Sequence, residues 1–132
     1  MDIRYEKTKL NILAWCIEDW TPLFSVFSFV EEFYHYEDLE VLKNTTLEIV
    51  KNLLEEGVIE AGFLQKDNTF KVWDKEIIEI IKEIKIKWDN LGRELYPHEI
   101  VWFDITEKGK KEFEYLNKLP ELEDDPFYRD EN

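Results

Sequence analysis

Residues Glu99–Leu116 read EIVWFDITEKGKKEFEYL, a stretch whose two halves obey different periods. In the first half Val101, Phe103 and Ile105 alternate with Ile100, Trp102 and Asp104. That two-residue repeat is the mark of a strand, here with apolar groups on both faces. Thr106 then stands where a helix N-cap belongs, and Phe113, Leu116 and the small Gly109 fall on the inward side of the second half. The stretch predicts a strand running directly into a closing helix.

Upstream of it, DKEIIEIIKEIKIKWDNLGR places Ile77, Ile81, Ile84, Trp88 and Leu91 at spacings of four, three, four and three. That seam predicts a helix over 74–93, with Asp74 as N-cap and Gly92 near its exit, even though isoleucine favours strands. VIEAGFLQ and TFKVW, joined by the polar KDN, read as a hairpin. Ahead of the hairpin, Leu47, Val50 and Leu54 form a helical stripe that ends at Gly57, a residue suited to a left-handed stop. The stripe belongs to one helix from Asp38, or to two with a break at 44–46. Thr21 and Pro22 form an N-cap and first-turn pair for LFSVFSFVEEF, with Phe24, Phe27 and Val30 inward and an end near Tyr34. TKLNILAWCIEDW, capped by Thr8, places Leu10, Leu13, Ile17 and Trp20 on one face.

The expected class is α+β: three helices, a small antiparallel three-stranded sheet with a helical insertion before its last strand, and a closing helix. Residues 1–118 form the single domain, with 74–93 inserted, and 119–132 form an acidic, mobile tail. Five Trp, six Tyr and nine Phe within a 44% hydrophobic chain are enough for a core despite a net charge of -14. Trp15 and Trp20 are expected in the core and at its edge. Trp73, Trp88 and Trp102 are expected to stack the inserted helix on the sheet, and Arg93 to anchor a carboxylate of the same chain.

The one cysteine, Cys16, lies in the longest apolar run, ILAWCI, and reads as a buried thiol in a reducing compartment. That run is too short to span a bilayer, and the charged start MDIRYEKTKL lacks a signal-peptide core. The expectation is a cytoplasmic protein that does not meet the membrane.

The acid is regional. Residues 31–56 hold eight acids against Lys43 and Lys51, and residues 119–132 hold six against Arg129. Residues 74–93 balance at five and five, and 106–118 come out at +1. Metal-site spacings, paired catalytic cysteines and phosphate loops are missing. His35 reads as a helix end and His98 as loop, so the expectation is a protein that is not an enzyme and uses no cofactor or metal.

Three helices, the run LLEEGVIEAG leaving the third, and the joint WFDITEKGKKEFE resemble the winged-helix superfamily. There a GLI turn leaves the third helix, and an LT..G signature joins the last wing strand to the next helix. The likeness covers roughly residues 8–118 when Asp74–Arg93 is taken as an insertion. Trp73, Trp88, Leu91, Gly92, Arg93, Trp102, Phe103, Thr106 and Gly109 also look like the pattern of uncharacterised small bacterial winged-helix proteins.

That resemblance implies a recognition helix for DNA within residues 38–56. Such a helix draws its affinity from lysine and arginine on phosphates, whereas Glu37, Asp38, Glu40 and Glu48 would repel them. Lys43 and Lys51 do not offset this, and Lys108, Lys110 and Lys111 read as a solvated face.

Nucleic acid is therefore not the expected partner, although a DNA-binding winged-helix regulator is the alternative and an adaptor domain a third reading. Acids mixed with aromatics suit a basic protein, because charge speeds encounter while rings supply contact area. The expected function is an immunity protein masking a basic toxin domain, possibly a nuclease, with monomer or homodimer left open. Its contact residues would be Glu31, Glu32, Tyr34, Tyr36, Glu37, Asp38 and Glu40, extended by Glu121, Glu123, Asp124 and Asp125.

Overall fold

A computed structural model describes residues 2–122. Its α+β architecture holds, among those residues, five α-helices and a four-stranded antiparallel sheet. The elements are α1 (Ile3–Glu18), β1 (Thr21–Pro22), α2 (Leu23–Tyr34), α3 (Leu39–Glu56), β2 (Ile59–Leu64), β3 (Phe70–Val72), α4 (Ile77–Asp89), β4 (Trp102–Ile105) and α5 (Glu107–Asn117), then a short 3-10 turn at Pro120–Leu122. The strand order is β1-β4-β2-β3. Leu10 and Leu13 of α1, Val26 of α2, Val50 of α3, Phe103 of β4 and Leu116 of α5 meet in one buried core.

The joints expected from local chemistry are present. Gly57 ends α3 at φ +76, and Asn68 takes φ +64 in the hairpin turn. Thr106 caps α5, its hydroxyl accepting the Gly109 N–H at 2.9 Å and donating to the Gly57 carbonyl at 2.6 Å. The exit of α3 and the entrance of α5 are thereby fastened to one another. α3 is a single helix capped by Asp38, because Thr45 and Thr46 turn their hydroxyls back onto the carbonyls of Val41 and Leu42. Those bonds keep both threonines compatible with the helix interior.

Other expectations are corrected. The sheet has four strands rather than three: Thr21 and Pro22 pair with Phe103 and Trp102 instead of opening α2. α1 starts at Ile3, because the Asp2 carboxylate caps it by accepting from the Arg4 and Tyr5 N–H groups. Its phase buries Cys16 and leaves Ile17 and Trp15 exposed at 43% and 51%. α4 is capped at Glu76, not Asp74, and packs chiefly on α3. Trp88 meets Phe27 of α2 edge-on at 5.3 Å rather than stacking on the sheet, and Trp73 lies under the ammonium groups of Lys75 and Lys87. β4 begins only at Trp102. Before it, Ile100 takes φ +74, and the Val101 N–H reaches the Glu99 carbonyl in a tight three-residue turn. Of the residues after Lys118 that the structure describes, Leu122 is fully buried. No helix among the described residues is long and apolar enough to cross a membrane.

Candidate functional site

The outward side of α3 carries Val41, Asn44, Thr45, Glu48, Asn52 and Glu55, whose spacing keeps them on one flank. This is the flank opposite the Leu47, Val50 and Leu54 stripe. It forms one wall of an open groove of about 810 Å³. The other walls come from the start of α1, with Asp2 and Tyr5, and the end of α2, with Tyr34. The Asp2 cap fixes the first of these. His35, in the left-handed conformation at φ 58, ends α2 and so fixes the second.

Four carboxylates line the groove, those of Asp2, Glu48, Glu55 and Glu56, and no lysine or arginine does. Glu48 and Glu55 pair with no described residue. Several cations of the flanking helices are committed to other partners. Lys9, 4% exposed, donates to Glu56 at 3.0 Å and to Glu112 at 2.7 Å, with Glu6 at 3.7 Å. Burial works to lower the Lys9 pKa, but those hydrogen bonds outweigh it and the balance is upward. Tyr5 donates its hydroxyl to Glu56. Burial first, and that hydrogen bond second, push its pKa up, so the phenol stays neutral. Arg4 lies over the Tyr34 ring at 4.8 Å. Lys43 is withdrawn as well: it is buried, bonded to Asp89 at 2.7 Å and set over the Trp88 ring at 5.4 Å.

The residues expected to bind are not gathered on one surface. Tyr34 lines the groove, and Tyr36 sits beside it at 5.8 Å between ring centroids. Glu31 instead lines a second cleft, between α2, the start of α3 and the loop after α4. Glu32 and Glu37 are exposed. Asp38 is committed to capping α3, accepting from the Glu40 and Val41 N–H groups, and Glu40 lies 3.8 Å from Lys43. Glu121 is exposed on the 3-10 turn that packs on α1. Glu123, Asp124 and Asp125 lie outside the described residues.

The groove also takes in Asp2, Tyr5, Asn44, Asn52, Glu55 and Glu56, which are not among the expected contact residues. Those on α3 are legible as the face half a revolution from the Leu47, Val50 and Leu54 stripe; nothing local announces Tyr5. Among the described residues no group of three or more His, Cys, Asp or Glu is placed to hold a metal ion.

The loop beside the second cleft is locked by charge. Arg93 grips Glu99 with two hydrogen bonds, at 2.9 and 2.7 Å, and stacks on Tyr96 at 4.0 Å. This is the same-chain carboxylate expected for Arg93. The Arg93 guanidinium and the Tyr96 N–H hold the Glu99 pKa at about 2, against an ordinary 4.5. A carboxyl depressed on folding stabilises the protein above its unfolded pKa, and the effect is lost as pH falls through the folded one. Wild-type protein should therefore lose stability from pH 4.5 down to about 2, and Glu99→Gln should flatten that limb of an acid titration followed by circular dichroism. Superimposable acid limbs would discard the clamp.

Compared with models of protein families, with curated proteins and with solved structures, the chain matches none.

Proposed function

We propose that the protein is a non-catalytic binding protein whose α3 groove covers a cationic surface of a protein partner. In its most concrete form it is an immunity protein masking a basic toxin domain, possibly a nuclease, in the cytoplasm. The observation that carries the reading is the groove itself, with four carboxylates and two tyrosines and no cation among its lining residues. The carboxylates of Glu48 and Glu55, unpaired among the described residues, raise the encounter rate with a basic protein, and neutral tyrosines supply contact area at little entropic cost.

The scaffold reading is winged-helix-like. Three helices precede the hairpin, α3 leaves through Gly57, and β4 enters α5 through Thr106. Under it, the flank that a DNA reader would lay against phosphates is the acidic one, which opposes duplex binding.

The test uses a labelled arginine-rich peptide and a short labelled duplex, read by anisotropy at low salt. The peptide should bind and the duplex should not. Glu48→Lys with Glu55→Lys should weaken the peptide by about tenfold. Glu60→Lys with Glu114→Lys changes the net charge equally but lies outside the groove, and should cost much less. Equal losses from both pairs would leave only bulk charge, and micromolar duplex binding would favour the regulator instead.

A further inference from the structure

The second cleft, of about 740 Å³, lies across α3 from the groove, where α2, the start of α3 and the end of α4 converge. Its apolar lining comes from Phe24, Phe27, Leu39, Trp88 and Leu95. Leu39 is 60% exposed, a large apolar side chain left at a helix start without burial. Glu31, Lys43, Asp89, Arg93 and Glu94 line it as well, and a cleft of this size that joins an apolar wall to placed polar groups is a common form of small-ligand pocket.

The charges in it decide what it takes. Its two cations are already neutralised: Lys43 by Asp89 at 2.7 Å, and Arg93 by Glu99 through two hydrogen bonds. The carboxylates of Glu31 and Glu94 also line the cleft and pair with no described residue. The uncompensated charge is therefore negative, set against aromatic rings whose faces attract cations. The protein already uses one of those rings so, placing the Lys43 ammonium over Trp88.

We infer that this cleft binds a small aryl-alkyl ammonium ion, a monocation carried on an apolar stem. The apolar stem lies against Phe24, Phe27 and Leu39 while the cationic head meets Glu31 and Glu94. The site goes beyond the α3 groove and shares no lining residue with it.

The experiment compares two probes of one shape and opposite charge, benzylammonium and phenylacetate, by two-dimensional NMR of the full chain. Benzylammonium should move the Trp88 indole N–H and the Leu39 and Leu95 methyl resonances, and phenylacetate should bind at least about tenfold more weakly. Glu31→Gln with Glu94→Gln should erase that preference. Both positions are exposed, so the fold should survive, which an unchanged amide spectrum elsewhere would verify. Glu48→Lys with Glu55→Lys should leave benzylammonium binding as it was, separating this site from the groove. Stronger binding of phenylacetate, or benzylammonium shifts that avoid Trp88, Leu39 and Leu95, would overturn the inference.

Discussion

Gly109→Ala will destabilise the protein by about 3 kcal/mol, although alanine is the better helix former. A Cβ at this position would lie 2.1 Å from the Val58 carbonyl oxygen and 2.7 Å from Cγ1 of Ile105. The first neighbour is backbone, and it already accepts the Thr106 N–H at 3.1 Å. It yields only if α5 moves away from Val58 and the hydrogen bonds of Thr106 to the Gly57 and Val58 carbonyls break with it. Overpacking commonly costs about 1–3 kcal/mol, and a backbone obstacle puts this case at or above the top of that range. The advantage of alanine over glycine in a helix, about 1 kcal/mol, returns only part of it. Urea titration reads the difference, and a variant within about 0.5 kcal/mol of wild type would mean that the joint is loose enough to admit a methyl group.

Lys9→Met should cost a similar amount, about 3 kcal/mol. Removing the ammonium leaves Glu6, Glu56 and Glu112 gathered around an apolar side chain, without the cation that held them together. Breaking a buried ion pair typically costs about 3–5 kcal/mol, and the lower end applies because Glu56 and Glu112 keep 36% and 30% of their side-chain surface. A triple variant, Lys9→Met with Glu56→Gln and Glu112→Gln, removes the like charges together and should recover most of the loss. Failure to recover would assign the role of Lys9 to packing rather than charge.

The same cluster predicts an alkaline limit. The pKa values of Tyr5 and Lys9 both rise on folding, from ordinary values of 10.0 and 10.5. Their contribution is complete below those values and is lost as pH rises through the folded ones. Wild-type stability should therefore decline above about pH 10, and Tyr5→Phe should shallow the decline.

The fold is legible in the sequence wherever neighbouring residues decide it among themselves. The Gly57 stop, the Asp38 and Thr106 caps and the hairpin around Asn68 depend on atoms a few positions apart. β1 is not legible, because a two-residue strand has no period and its partner, Phe103, lies far along the chain. The start of α1 is hidden because a cap among charged residues has no apolar run behind it to mark it. Its phase is hidden because residues 8–13 are buried on every side, so a single stripe cannot represent it.

The candidate site is legible only in sign. Acid around residues 31–56 is plain, but its placement requires knowing that Asp38 closes a helix end, that Glu31 faces a different cleft and that Tyr5 arrives from α1. Lys9 is legible only in its i,i+3 neighbour Glu6: the carboxylates it bonds directly sit 47 and 103 positions away. The excess of acid over base also conceals that two lysines, Lys9 and Lys43, are buried among carboxylates.

The hydroxyl that ties Gly57 to the cap at Thr106 closes the chain between them, which holds β2, β3, α4 and β4, into a single loop. Within that loop the tip of the hairpin, residues 66–69, is exposed throughout. With both ends of the path closed by one clasp, the tip is free to lengthen, shorten or change its lettering while the helices beneath keep their places, so novelty can be written there at little risk to the rest.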